Sequence, residues 1–157
     1  MKAVSVSNLK KELNHLSSDE LTELCLRLAK FKQENKELLT YLLFEAHDET
    51  SYIEAVKAEA DVQFEQINTS SYYYMRKSVR KILRMIKKFA RYSLKKETEV
   101  ELLLHFCHKL KTLEPSIENN VTLTNTFKRQ LALIKKIVSG LHEDLQFDFQ
   151  MKIDELN

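Results

Sequence analysis

Glycine and proline are almost missing from this chain of 157 residues, which has one of each, Gly140 and Pro115. Average proteins contain roughly 7% Gly and 5% Pro. Tight turns between strands depend on these two residues, so the chain lacks the means to build a sheet protein, and long stretches without either favour helices. The scarcity also excludes sites that need several glycines, such as a phosphate-binding loop or a dinucleotide-binding turn.

Apolar residues at helical spacing predict about seven to eight helices with short connections. Ser17 and Glu20 have the spacing of a capping box, and Asn35 is the expected cap of the next helix. Cys25 lies within the apolar stripe of the helix after Ser17 and is expected to be buried as a small hydrophobe. The fold class is therefore all-α, either an antiparallel multi-helix bundle or an irregular α-solenoid, and periodicity alone does not separate the two. The stripe consists of Leu21, Leu24, Cys25, Leu28 and Phe31.

The length of the chain predicts a single helical domain spanning residues 1–157. Its hydrophobic fraction of 43% provides enough apolar material for a core. The first residues turn polar too early for a signal peptide, and no run approaches the roughly 18 apolar residues that span a bilayer. Two cysteines do not make a disulfide framework. We therefore expect a cytoplasmic protein with reduced thiols and no transmembrane segment.

Positive charge is concentrated in one stretch, residues 70–96, which reads SSYYYMRKSVRKILRMIKKFARYSLKK. It contains ten Lys or Arg and no Asp or Glu, although the net charge of the whole chain is only +2. The residues before and after this stretch carry an excess of acids. The net charge of the whole chain is therefore close to zero although residues 70–96 form a concentrated positive block.

The positive block is predicted to form an amphipathic helix from about Tyr72 to Tyr92. At 100° per residue, its apolar side chains fall in one arc of roughly 120° and its cations occupy the opposite side. The apolar arc contains Met75, Val79, Ile82, Leu83, Ile86, Phe89 and Ala90. The cationic side contains Arg76, Lys77, Arg80, Lys81, Arg84, Lys87, Lys88, Arg91 and Lys95.

Three interpretations of this helix are open. The favoured one is a solvated face, or a face paired with the acids of residues 48–65, which would contribute little free energy. The second is a polyanion-binding surface for single-stranded RNA, on which Tyr73 and Tyr74 stack with bases. Three consecutive tyrosines cannot all face one core stripe, so at least one should be partly exposed. The third is a membrane surface or a partner's groove, which is less favoured because the apolar arc is needed for the core.

Two further groups of residues are weaker candidates. Glu101, His105 and His108 share a helical face and could supply zinc ligands, but no paired Cys motif accompanies them, so no metal site and no cofactor are predicted. In the last helix, Phe147 and Met151 form a second apolar face that is either buried or meets a partner. These two residues are the candidates for a protein interface, including self-association.

Three segments resemble an uncharacterised bacterial family of helical proteins. LKKELNHLSSDELTELCLRLAKFKQENKELLTYLL resembles its opening, RKSVRKILRMIKKFAR is similar to its central basic helix, and LHEDLQFDFQMKIDEL is similar to its closing acidic and aromatic helix. The resemblance implies an all-helical bacterial protein and supplies no activity, cofactor or site residue.

The predicted function follows mainly by elimination. We expect a non-enzymatic interaction or scaffold protein with a protein partner or a second copy as ligand. The alternative is binding of single-stranded RNA through the basic helix, residues 75–96, and an enzyme is the third possibility. The sequence points to no catalytic residue and to no small-molecule substrate.

Overall fold

Side-chain caps fix where most helices begin. A computed structural model describes residues 1–156 of the chain. The Ser17 hydroxyl and the Glu20 carboxylate form the predicted capping box, with distances of 3.2 and 2.7 Å to each other's backbone nitrogen. Ser71 caps the basic helix through its hydroxyl, which accepts a hydrogen bond from the Tyr74 backbone N–H. The prediction that Asn35 caps the next helix is wrong. That helix begins at Gln33, and the Asn35 side-chain amide donates to the Leu28 carbonyl at 2.8 Å.

The described residues form eight α-helices and no strand, which confirms the all-α prediction. The helices are α1 (Val6–Leu13), α2 (Ser18–Phe31), α3 (Gln33–Thr40), α4 (Glu49–Glu65), α5 (Tyr72–Ser93), α6 (Lys96–Lys111), α7 (Val121–Val138) and α8 (Glu143–Asp154). A π-helical segment, Tyr41–Glu45, follows α3, and a 3-10 turn, Ile117–Asn119, precedes α7.

The chain divides into two compact units, Met1–Phe44 and the residues from Glu45 onward. This division does not test the prediction of a single domain over residues 1–157, which stays a prediction. In the first unit α2 packs against α3. Tyr41 is its only buried residue, so the predicted stripe on α2 is not covered, and Cys25 is exposed rather than buried. A periodic stripe shows that a helix face is apolar, but it does not show that another element covers it.

In the second unit α4, α5 and α6 pack against one another, as in a bundle. The Tyr52 hydroxyl near the start of α4 donates to the Phe89 carbonyl near the end of α5 at 3.0 Å, so these two helices run antiparallel. α6 also contacts α7, which in turn packs on α8. Because α6 has neighbours on several sides, it is buried nearly all round, and Phe106 at its centre packs on the ring of Phe64 at 5.8 Å.

Candidate polyanion-binding surface

The core of the second unit fixes which side of α5 faces outward. Met75, Val79, Ile82, Ile86 and Ala90 are buried, as the helical wheel predicts. Leu83 and Phe89, at the edges of the predicted apolar arc, are half-buried. Because the apolar face of α5 packs in the core, the opposite side, which carries the cations, faces outward.

Five cations form a continuous row on the outer side of α5, which we call the cationic strip. At 100° per residue they lie within an arc of about 80°. Successive members are three or four residues apart, which is about 4.5 to 6 Å along the axis, and the row is about 21 Å long. The strip consists of Lys77, Arg80, Arg84, Lys87 and Arg91. All are exposed except Lys87, which is half-buried.

The remaining predicted cations flank this strip. Arg76 is half-buried and Lys81 is exposed. The ammonium group of Lys88 lies 4.8 Å from the centre of the Phe89 ring, and this side chain is half-buried. The eight cations predicted for α5 thus share one side of the helix, with the strip as their most exposed part.

Asp61 of α4 is directed towards α6 and not towards the strip. Asp61 Oδ1 lies 2.6 Å from His105 Nε2 and 3.1 Å from Lys109 Nζ. Glu49 lies 3.3 Å from Lys95. Within residues 1–156, no acidic side chain forms an ion pair with a cation of the strip. The favoured interpretation of the sequence, in which acids of residues 48–65 pair with this face, therefore does not hold for the strip.

The pKa of Asp61 shows that this arrangement favours its charged form. Partial burial raises the pKa of the Asp61 carboxyl, but hydrogen bonds from Lys109 and His105 outweigh burial and hold the pKa below its ordinary value. The carboxylate is thus committed to α6 and is not available to neutralise α5.

Two of the three consecutive tyrosines are exposed beside the first cation of the strip. The exposed fractions are 52% for Tyr73 and 47% for Tyr74, whereas the Tyr72 hydroxyl donates to the Ser116 carbonyl at 2.8 Å. The rings of Tyr73 and Tyr74 meet edge to face with centroids 5.3 Å apart. Lys77 lies 4.4 Å from the centre of the Tyr73 ring, and its hydrogen bond and charge lower the pKa of the Tyr73 hydroxyl. The strip therefore begins at an exposed aromatic pair.

The three metal candidates face one small cavity, and two of them are engaged with other groups. Glu101, His105 and His108 line a surface cavity of about 250 Å³. Glu101 pairs with Lys57 at 3.5 Å and with Lys152 at 2.5 Å, and His105 contacts Asp61. Within the described residues, no group of three or more His, Cys, Asp and Glu side chains is arranged to hold a metal ion.

The predicted interface residues on α8 are exposed. The exposed fractions are 68% for Phe147 and 57% for Met151, and the two side chains are one turn apart. The opposite side of the helix is covered, with Phe149 and Ile153 buried. The sequence allowed Phe147 and Met151 either to be buried within the chain or to meet a partner. The prediction of burial is therefore wrong.

A second apolar surface lies between α2 and α3, where the sequence predicted only core. A groove of about 250 Å³ separates the two helices. It is lined by Cys25, Leu28, Ala29, Asn35, Leu38, Leu39 and Leu42. The signal was present in the sequence as two short, leucine-rich helices in succession, but a stripe alone does not tell an exposed face from a buried one.

Together, the fold and this surface define an all-helical protein with a row of cations on one helix. No family model, no curated protein and no solved structure matches the chain. The resemblance to an uncharacterised bacterial helical family stays a prediction. No helix within residues 1–156 combines the length and apolar composition needed to cross a membrane.

Proposed function

We propose that this protein is a non-enzymatic module that binds single-stranded RNA through the cationic strip of α5. The observation that carries the proposal is that no acidic side chain among the described residues pairs with the strip, while Asp61 of α4 pairs with His105 and Lys109 of α6. A row of unpaired cations attracts a polyanion because binding releases the counterions condensed on its phosphates.

The aromatic pair favours a single strand over a duplex. Tyr73 and Tyr74 offer exposed rings at one end of the strip, and unpaired bases stack on such rings whereas the bases of a duplex stack on each other. The Tyr73 ring is held by Lys77, so a base that stacks there lies next to the first cation of the strip. Phosphate attraction and base stacking can thus act on adjacent nucleotides.

A charge-reversal variant of the strip tests the proposal. Four substitutions are made together, Arg80→Glu, Arg84→Glu, Lys87→Glu and Arg91→Glu. The anisotropy of a fluorescent single-stranded RNA should rise on adding the wild-type protein at low salt and should stay unchanged with this variant. The circular dichroism of the variant should remain helical, because the substituted side chains lie outside the core.

A matched control reverses four cations on α7. The control carries Lys128→Glu, Arg129→Glu, Lys135→Glu and Lys136→Glu, so its net charge changes by the same amount. Binding that survives in the control and is lost in the strip variant supports the proposal. Absence of wild-type binding at low salt, or equal loss in both variants, refutes it.

A second candidate function, an interaction scaffold, is favoured by the exposure of Phe147 and Met151. Large apolar side chains that are adjacent and exposed are typical of protein contact sites. A protein partner held by this face should be lost from the variant Phe147→Ser with Met151→Ser. It should be kept by Val121→Ser, which changes an equally exposed apolar residue on α7. A partner lost from all variants alike would contradict the assignment of this face.

We also propose that the protein acts in the cytoplasm. Cys25 and Cys107 are both free thiols, which is usual in a reducing compartment. Detection of the tagged protein in separated cell fractions tests this location. Recovery in a secreted or envelope fraction would contradict it.

A further inference from the structure

The unit formed by residues 1–44 exposes most of its large apolar side chains. Eight of them, on α2, α3 and the π-helical segment, have exposed fractions between 36% and 78%, and Leu26 and Phe44 are two of the eight. We take the other six as the apolar surface of this unit. These six are Leu24, Leu28, Phe31, Leu38, Leu42 and Leu43. Leu28, Leu38 and Leu42 also line the groove between α2 and α3. The apolar surface is therefore shared by both helices.

This surface lacks the second layer that helical units normally have. A layer of helices is stable when its apolar side is covered by another layer. Only Tyr41 is buried within residues 1–44. Units of about this size usually depend on a disulfide, a metal or oligomerisation, and Cys25, the one cysteine here, is free.

The exposed apolar area matches what one subunit of a stable dimer contributes. At roughly 150 Å² for a fully exposed large apolar side chain, the six exposed fractions correspond to about 500 Å². A standard interface buries about 800 Å² per subunit, of which about 65% is apolar in homodimers. A second copy of the same surface would therefore supply the missing layer in full.

Four of the five charged residues on α2 are arranged symmetrically about Cys25, with acids before it and bases after it. Glu23 and Arg27 lie two residues on either side of Cys25, and Glu20 and Lys30 lie five residues on either side. The four charged residues fall within about 80° on the helical wheel, next to the apolar stripe. Glu23, Arg27 and Lys30 have no ionic partner among the described residues.

Such a pattern is complementary to itself when two copies of α2 run antiparallel. In a two-fold interface, contact of one residue with another is repeated with the subunits exchanged. A crossing centred at Cys25 sets Glu23 opposite Arg27 of the partner subunit and Glu20 opposite Lys30 of the partner subunit. In a parallel two-fold pair the charged edges of the two α2 helices would lie on opposite sides of the pair, so these charges would not face each other.

We propose that α2 and α3 form the interface of a homodimer, in which α2 packs antiparallel on α2 of the partner subunit. The apolar faces of two hairpins then enclose a four-helix core, and the charges of α2 fix its direction. This inference does not depend on the proposed binding of RNA, because the strip lies on α5.

The mass of the full-length chain in solution tests the dimer. Sedimentation equilibrium without nucleic acid should give a mass that rises with concentration from the monomer value of 18.5 kDa to twice that value. Phe31→Asp should keep the protein monomeric. Val121→Asp, a control at an exposed apolar residue of the second unit, should leave the dimer intact. A wild-type protein that stays monomeric at all concentrations overturns the proposal.

A charge exchange tests the direction of α2 without changing an apolar residue. Arg27→Glu alone and Glu23→Arg alone each place like charges opposite each other twice per dimer, so each should raise Kd about tenfold. The double variant with Glu23→Arg and Arg27→Glu should recover the wild-type Kd, since opposite charges then face each other again. Both residues are exposed, so all three variants should fold. A double variant no tighter than the single variants overturns the antiparallel arrangement.

Discussion

Removal of one cation from the middle of the strip should change how RNA binding depends on salt. Arg80 is suited to this test because it is exposed and has no ionic partner among the described residues. The substitution Arg80→Gln keeps a long polar side chain and removes the charge. It leaves the buried side of α5 unchanged, so the helix should retain its position.

The size of the effect follows from the number of cations in the strip. Each phosphate neutralised on a single strand contributes about −0.7 to the slope of log K against log salt. Five cations thus give a slope of about −3.5, and binding should weaken roughly a hundredfold between about 50 and 200 mM salt. With four cations the slope should be about −2.8, and the loss over the same range should be about fiftyfold.

Anisotropy titrations at several salt concentrations measure both slopes. Arg129→Gln on α7 is the matched control, since Arg129 is also an exposed arginine without an ionic partner among the described residues. Its slope should equal that of the wild type. If Arg80→Gln keeps the wild-type slope, or if Arg129→Gln lowers it equally, the strip is not where the phosphates bind.

Three further predictions concern stability. Phe106→Ala should lower the free energy of unfolding in urea by about 3 to 5 kcal/mol, since this buried ring touches Phe64, and a loss below about 1 kcal/mol would contradict the packing described. Leu94→Gly should raise the free energy of unfolding by about 0.5 to 1 kcal/mol, because Leu94 has a φ of 59° that strains a side chain, and any loss of stability would count against that strain. Asp61→Asn should cost up to about 1 kcal/mol at neutral pH. Because the folded-state pKa of Asp61 is lowered, its contribution is present above about pH 4 and disappears as the pH falls through the folded pKa, so a pH-independent difference between mutant and wild type would refute the assignment.

The buried side and the exposed side of α5 could be predicted from the sequence, because the spacing of the apolar residues and the positions of the cations indicate the same division. Met75, Val79 and Ile82 recur at helical spacing, and the residues between them are nearly all cations. One side of such a helix can be buried and the other cannot, because burial of unpaired cations costs far more than burial of apolar side chains yields. The Ser71 hydroxyl, which accepts from the Tyr74 backbone N–H, fixes where this helix begins.

The partners of the charged side chains on α4 could not be predicted in this way. Lys57 pairs with Glu101 and Asp61 pairs with His105, so the same offset of 44 residues links α4 to α6. That offset arises because α4 and α6 lie side by side and run parallel, with α5 between them in sequence. α4 and α5 do pack antiparallel, as a hairpin would, but Asp61 lies on the side of α4 that faces α6.

The exposure of residues 1–44 could not be predicted either. The stripe on α2 has the same spacing and residue types as a stripe that faces a core. Cys25 is exposed and Cys107 is buried, although each lies among leucines. Burial raises the pKa of the Cys107 thiol to about 12, so neighbours along the chain alone give no indication of this chemical difference.

The nearly even spacing of the cations in the strip would affect how firmly it fixes the position of a bound polymer. Lys77, Arg80, Arg84, Lys87 and Arg91 each present one positive charge at similar intervals along the helix. A strand shifted by one phosphate meets an equivalent set of cations, so many alignments have nearly equal energy. If RNA binds as proposed, a bound strand would slide along α5 without leaving it, and the aromatic pair at Tyr73 and Tyr74 would mark one end of that path.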